Sequence, residues 1–321
     1  MPGLAEHRSI GEDLELCARL GLDFIEINAN LPHLQPDRLN LPALRSRLGE
    51  TGLYLTFHAE EDLSPFHFNS RIAAAWLDTL AAEIETACTL GSPIVNLHLN
   101  EGVYFTLPGQ RLYLFEAFKD HFLEGIEALR SLCIRVAGSS GPVCCVENCG
   151  GFPPFLREGI DRLLESPEFG LTWDVGHDHA AGGVDRPFLM DRADRVRHMH
   201  LHDAGPAGNH LAAGEGVLDL GARLAFAREH RCRVVLETKT GEADVSAEAL
   251  NAYYTENMDT IDQVTYRAFS FSFSVSSTAT AAEKEQAKTA AKTKADAFLA
   301  DVGSEKDFQE LALAATAEDD R

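Results

Sequence analysis

Six short apolar runs in this chain each close at their carboxyl end on a histidine or an acid, and helical segments separate most of them. The runs are Leu53–His58, Ile94–His98, Val143–Glu147, Gly170–Val175 with Asp174, Val196–His202 and Arg233–Glu237. A further strand, Asp23–Asn28, precedes them. Val143-Cys144-Cys145-Val146 is small and β-branched, and two glycines break it after Glu147-Asn148-Cys149. Such a run suits a strand covered on both faces, as in a parallel sheet. The spacing predicts helices over Gly11–Leu20, Leu41–Glu50, Ser70–Leu90, Arg111–Val136, Phe155–Glu165, Phe188–Asp194 and Leu218–His230. Strand and helix alternating at roughly 30–40 residues per unit predict a parallel α/β fold. An eight-stranded barrel would count these strands as the second to the eighth, so the expectation is a TIM (β/α)8-type barrel lacking its first strand.

Charge narrows the partners. The chain of 321 residues carries 28 basic and 50 acidic side chains, a net charge of −22. Residues 251–321 hold 7 and 13 of these, so the excess is spread along the chain. Broad attraction to nucleic acid or an anionic membrane is therefore not expected. No apolar run approaches the roughly 20 residues that span a bilayer. The start, Met1-Pro2-Gly3-Leu4-Ala5-Glu6-His7, lacks the basic and apolar regions of a secretory signal. The seven cysteines are odd in number and fall mostly in predicted strands or helices. Reduced thiols in a cytoplasm are expected.

Barrel enzymes carry their chemistry at the carboxyl ends of the strands. Here those ends present His58, His98, Glu147, Asp174 with His177, His200 and Glu237, and His210 follows in the next loop. Alternation puts His198, His200 and His202 on one face of their strand. These side-chain types bind Zn²⁺, Mn²⁺, Co²⁺ or Mg²⁺. A barrel would gather them on one rim although they are far apart in sequence.

The chain resembles the xylose-isomerase-like TIM barrels, a family that includes sugar phosphate isomerases and epimerases, tagatose-type ketose 3-epimerases, hydroxypyruvate isomerase and endonuclease IV. The resemblance covers about residues 10–240. It rests on His58-Ala59, Asn96-Leu97-His98, Val146-Glu147-Asn148, Trp173-Asp174-Val175-Gly176-His177, His200-Leu201-His202-Asp203, His210 with Gly214-Glu215-Gly216, and Leu236-Glu237-Thr238. It implies that Glu147, Asp174, His200 and Glu237 hold one divalent metal, Mn²⁺, Co²⁺ or Mg²⁺. It further implies that Glu147 and Glu237 are the catalytic acid/base pair and that His177 contacts a substrate oxygen. His58, His98, Glu147, His177 and His210 also match ligands that endonuclease IV uses for additional zinc ions. The acid two positions before the loop histidine in that enzyme is Gly208 here.

Two activities follow from the resemblance. In the first, a cation chelates the carbonyl and neighbouring hydroxyl of a sugar or sugar phosphate and eases formation of an enediolate. One glutamate removes the proton beside the carbonyl and another acid returns it. The substrate is then a small polyhydroxy compound, and the protein is an isomerase or epimerase. In the second, a zinc-bound hydroxide attacks a phosphodiester at an abasic site, and the rim must grip duplex DNA. The loop Ala59-Glu60-Glu61-Asp62 argues against it, because consecutive carboxylates repel phosphates. The loop Asn100–Phe105 is a candidate lid over a small polyol.

Beyond about Thr240 the pattern changes. Residues 1–243 form the expected barrel and residues 244–321 a mainly helical appendage. Helices are predicted over Ala247–Asn257, Ala281–Val302 and Glu305–Ala314, and an alternating strand over Val264–Val275. Tyr253-Tyr254-Thr255-Glu256-Asn257, Val264-Thr265-Tyr266-Arg267 and Lys306–Ala312 resemble the first half of a parvulin-type peptidyl-prolyl isomerase. The catalytic histidine of that family is Ala268 here, which implies a remnant without rotamase activity. A third expectation is accordingly an inactive barrel fused to such a remnant. Association into a homo-oligomer is compatible with all three.

Overall fold

The computed structural model describes residues 1–206, 208–238 and 280–301. The chain divides into two units, Met1–Asp262 and Gln263–Arg321. In the first, a parallel sheet of seven strands runs in the order β1 (Phe24–Asn28), β2 (Tyr54–His58), β3 (Ile94–Leu97), β6 (Val143–Glu147), β7 (Phe169–Asp174), β8 (Val196–Leu201) and β11 (Arg233–Leu236). Helices α1 (Ile10–Arg19), α2 (Leu41–Thr51), α3 (Ser70–Leu90), α5 (Lys119–Ala137), α6 (Pro154–Leu164) and α9 (Leu220–His230) intervene. This is the architecture of a TIM barrel.

The sheet is rolled. β1 and β8 are not neighbours in it, yet Nε2 of His198 on β8 reaches the Glu26 carboxylate on β1 across 2.7 Å. A flat sheet cannot make that contact. Beside β1, where an eight-stranded barrel has its first strand, Pro2 makes a single parallel bridge to Glu26. The Glu26 N–H donates to Met1 O and the Gly3 N–H to Glu26 O, each at 2.8 Å. Among the described residues that position is thus filled by one short stretch of backbone rather than by a full strand.

Alternation divides the side chains of each strand between two environments. Ile25, Ile27, Leu55, Phe57, Val95, Leu97, Val146 and Leu171 belong to the apolar core, together with the buried stripes of the helices. The other set faces the barrel interior and is polar: Glu26, Thr56, Asn96, Glu147, Thr172, Asp174, His198 and His200, all buried. An interior of this kind is tolerable only if its polar groups find partners. Thr56 donates to Glu26 at 3.1 Å and Thr172 to Asn96 at 2.6 Å, while Asn96 donates to Glu147.

Three local expectations differ from the structure. The helix predicted from Arg111 is preceded by a hairpin, β4 (Tyr104–Leu107) and β5 (Gln110–Tyr113), and a short α4 (Leu114–Ala117) leads into α5. Pro108-Gly109 makes the turn, with Gly109 at φ 81°, where a side chain would be strained. The helix expected over Phe188–Asp194 is α8 (Arg186–Met190) followed by a 3-10 turn at Ala193–Arg195. After β8 the chain forms a second hairpin, β9 (Asp203–Gly205) with β10 (Gly208–Leu211), where only a loop was expected.

In the second unit, α10 (Ala281–Asp301) coincides with the predicted Ala281–Val302 helix. Thr280 and Glu283 bond reciprocally at its start, an S/T-x-x-E capping box. The other predicted elements of the tail, and the segments resembling a parvulin, lie outside the described residues. Among the described residues no helix is long and apolar enough to cross a membrane.

Candidate metal centre

The strand ends do meet. Nδ1 of His200 lies 2.9 Å from Glu237 Oε2, 3.3 Å from Glu147 Oε2 and 3.8 Å from Asp174 Oδ2. Glu147 terminates β6, Asp174 terminates β7, and Glu237 is the first residue past β11. Asp174, Glu147 and His200 are buried, whereas the Glu237 side chain keeps 27% of its surface open to solvent. That exposure sets the direction from which a small molecule can reach the group.

Four further imidazoles ring the carboxylates. His58 Nε2 and His98 Nε2 stand 3.5 and 3.2 Å from Glu147 Oε2. His177 Nδ1 stands 3.4 Å from Glu147 Oε1 and 3.3 Å from Asp174 Oδ2. His210, on β10, faces His177, with the two Nε2 atoms 3.3 Å apart. All eight residues singled out in the sequence therefore sit at one end of the barrel.

Local structure explains how the residues get there. Asp174 caps the short helix α7 (Val175–Ala180): its Oδ1 accepts the His177 N–H at 2.7 Å. The cap turns the chain so that His177 falls beside Glu147. Asn148 ties β6 to β7, donating to Asp174 O and accepting from Asp174 N, both at 2.9 Å. In the His200-Leu201-His202-Asp203 segment, Asp203 accepts backbone N–H groups from Gly214, Gly216 and Leu218 at 2.9–3.1 Å. That carboxylate is used up in shaping the loop that carries His210. A Cβ on Gly216 would lie 2.2 Å from Asp203 Oδ1, so the loop needs glycine there.

The charges interlock. Burial alone would raise the pKa of Glu147, but His200, His177 and His58 outweigh it and hold the carboxyl well below its usual range. Burial works against Glu237 too, and His200 brings it down to about 2. His200 suffers the opposite burial penalty, which Glu147, Glu237 and Glu26 overcome, raising it well above 6.5. His58 is likewise disfavoured as a cation by burial, yet Glu147 raises it to about 9.

Two participants were not singled out from the sequence as site residues. Glu26 sits beneath the cluster, 2.9 Å from Nε2 of His200, leaving Nδ1 turned to the carboxylates. His202 reaches Asp174 Oδ1 at 3.0 Å through Nε2. A lone acid within the apolar run Phe24-Ile25-Glu26-Ile27 was the available signal for the first. The His198, His200, His202 alternation was the signal for the second.

The donor set fits a divalent cation. Nδ1 of His200 and His177, Nε2 of His98 and Oε2 of Glu237 are buried without an aligned hydrogen-bond partner, although acid oxygens lie close by. Groups so placed point at common space rather than at one another. Subsets within mutual reach for one ion include His58, Glu147 and His200, and Glu147, Asp174 and His177. Carboxylate and imidazole together suit Mn²⁺, Co²⁺, Zn²⁺ or Mg²⁺.

A family profile described as xylose isomerase-like TIM barrel matches residues 14–263. An uncharacterized protein of Methanocaldococcus jannaschii is 28% identical over 222 residues, covering 65% of this chain and 71% of its own. Among solved structures, a D-tagatose 3-epimerase-like protein superposes with a TM-score of 0.63 at 22% identity, over 81% of this chain and 97% of its own. The IOLI protein with a bound zinc atom superposes with a TM-score of 0.58 at 19% identity, over 80% and 95%.

Proposed function

The chain belongs to the xylose isomerase-like TIM-barrel family, and on that premise we propose that it is a divalent-metal-dependent isomerase or epimerase of sugars or sugar phosphates. The observation that carries the reading is the meeting of His200 Nδ1 with the carboxylates of Glu147, Asp174 and Glu237. These four would hold the cation. When bound, it would supply Lewis-acid polarisation to a carbonyl and the hydroxyl beside it. The resemblance to a tagatose epimerase-like protein and to a zinc-bound relative supports the substrate class and a divalent ion.

The remaining steps fall to the protein. Glu147 and Glu237 come from strands on opposite sides of β7 and β8, so they flank a substrate from two directions. One carboxylate takes the proton next to the carbonyl, and the other group returns one to the opposite face or the neighbouring carbon. Asn96 donates to Glu147, whereas Glu237 is partly open to solvent, and unequal surroundings of this kind give two like acids two roles. His177, 3.4 Å from Glu147, is positioned to bond a substrate hydroxyl.

A second reading, a zinc-dependent nuclease of the endonuclease IV type, is favoured by the additional imidazoles His58, His98, His177 and His210. Glu60, Glu61 and Asp62 after β2 oppose it, because the rim would meet phosphates with acids. The deciding experiment is metal analysis together with incubation of ketoses and ketose phosphates in D₂O with added Mn²⁺. One ion per chain and deuterium uptake next to the carbonyl are expected. Two or three zinc ions per chain with cleavage of abasic DNA, and no exchange, would sink the proposal.

A further inference from the structure

The opposite mouth of the barrel holds a cavity of ≈580 Å³ among the starting residues of the strands. Its wall includes Ser92, Ile94, Ser140, Val143, Arg197 and Arg233. The volume is of the order of small-molecule sites, roughly 300–1,000 Å³. Arg197 and Arg233 contribute its charge, and no Asp or Glu belongs to the wall. In a chain with a net charge of −22, that is an unusual place to find two guanidinium groups together.

The fold brings them there. β8 and β11 are neighbours, with Arg233 in register with His198. An irregularity in the β7–β8 register lies between Leu171 and Thr172, opposite Val196 and His198, and Arg197 is the residue taken up by it. Gly170 leaves room: a Cβ there would lie 3.1 Å from Arg197 Cγ and 3.2 Å from Cys145 Sγ. Several other arginines pair with acids, as Arg157 does with Asp185, Arg186 with Asp178 and Arg192 with Asp161. Arg233 instead lies near the Tyr54 phenol, and neither it nor Arg197 forms a carboxylate ion pair among the described residues.

The C-terminal ends of α3 and α5 border the cavity and bring partial negative charge, about half a unit for each helix. The last carbonyls of α3 are partly occupied, Cys88 O by the Gly91 N–H and Ala87 O by the Ser92 N–H. Two whole positive charges exceed what is left. Guanidinium forks match phosphate oxygens in geometry and retain their charge at any working pH. The recess suits a small anion, since a polyanion would also meet the acidic exterior.

We propose that this mouth of the barrel is a binding site for the phosphate group of a small metabolite, separate from the metal centre at the other end of the strands. Arg197 and Arg233 grip the phosphate, and the hydroxyl of Ser140 adds a neutral donor.

Titration calorimetry of the full chain with inorganic phosphate and with pyrophosphate tests this. Saturable binding is expected. Arg197→Gln and Arg233→Gln should each raise the dissociation constant at least tenfold, while Arg197→Lys retains part of the affinity. Circular dichroism checks that the variants are folded. The Glu147→Gln variant should bind phosphate as the parent does, which separates this site from one at the metal centre. No saturable heat at millimolar phosphate, parental affinity in both arginine variants, or loss of binding only in Glu147→Gln would overturn the proposal.

Discussion

His202 holds Asp174 from behind. Its Nδ1 accepts the His210 backbone N–H at 2.7 Å, which leaves the proton on Nε2 to be donated to Asp174 Oδ1 at 3.0 Å. With both nitrogens engaged, His202 has no lone pair for a cation, although it lies within reach of His177 and His210. Its part is to fix the carboxylate, and Gly176 is what admits the ring, since a Cβ there would lie 1.9 Å from His202 Cε1.

His202→Ala should therefore weaken metal binding rather than abolish it. Partners of this kind are typically worth about 10–100-fold in affinity. Calorimetric titration of Mn²⁺ into the chelator-treated protein reads the change. An unaltered dissociation constant would remove His202 from the support of Asp174.

Glu147→Gln and Glu237→Gln keep shape but remove the proton acceptor. Each should lower deuterium exchange into substrate by at least about 10²-fold, the usual contribution of one general acid or base. Near-normal turnover in either variant would take that glutamate out of the mechanism.

Stability of the metal-free protein should depend on pH in a defined way. His58 is raised from 6.5 to about 9, so its contribution is complete below about pH 6.5 and is lost as pH rises through 9. Glu237 is lowered from 4.5 to about 2, so its contribution is complete above about pH 4.5 and is lost as pH falls through 2. Melting temperature should thus be highest between these limits and fall by several degrees from pH 6.5 to 9, at roughly 2–4 °C per kcal/mol. A flat profile over that alkaline range would contradict the pairing of His58 with Glu147.

Gly216→Ala places a methyl group 2.2 Å from Asp203 Oδ1 and 2.4 Å from the Ala204 carbonyl oxygen. The loop bearing His210 must then shift, at a cost of about 1–3 kcal/mol. Thermal unfolding should show the loss, and a parental melting temperature would show that the loop yields without strain.

Helix and strand were legible wherever periodicity was local and uninterrupted. The predicted Ser70–Leu90 and Leu41–Glu50 helices coincide with α3 and α2 to within a residue, and Gly91 and Gly52 end them in the left-handed conformation. The β4–β5 hairpin was missed because its signal is a Pro-Gly turn between two short exposed strands, beside a helical pattern that overran them. Glu26 was missed for a different reason. Its partner His198 is 172 positions away, and no window along the chain contains both.

By itself the sequence determined which residues end the strands and what chemistry they carry, because alternation and turn residues act over a few neighbours. Only the tertiary structure decided that those ends face one another, that Glu26 and His202 stand behind the acids and imidazoles, and that two arginines share the far mouth. Those relationships depend on how far the sheet rolls before β1 approaches β8, and that is set by packing over the whole barrel.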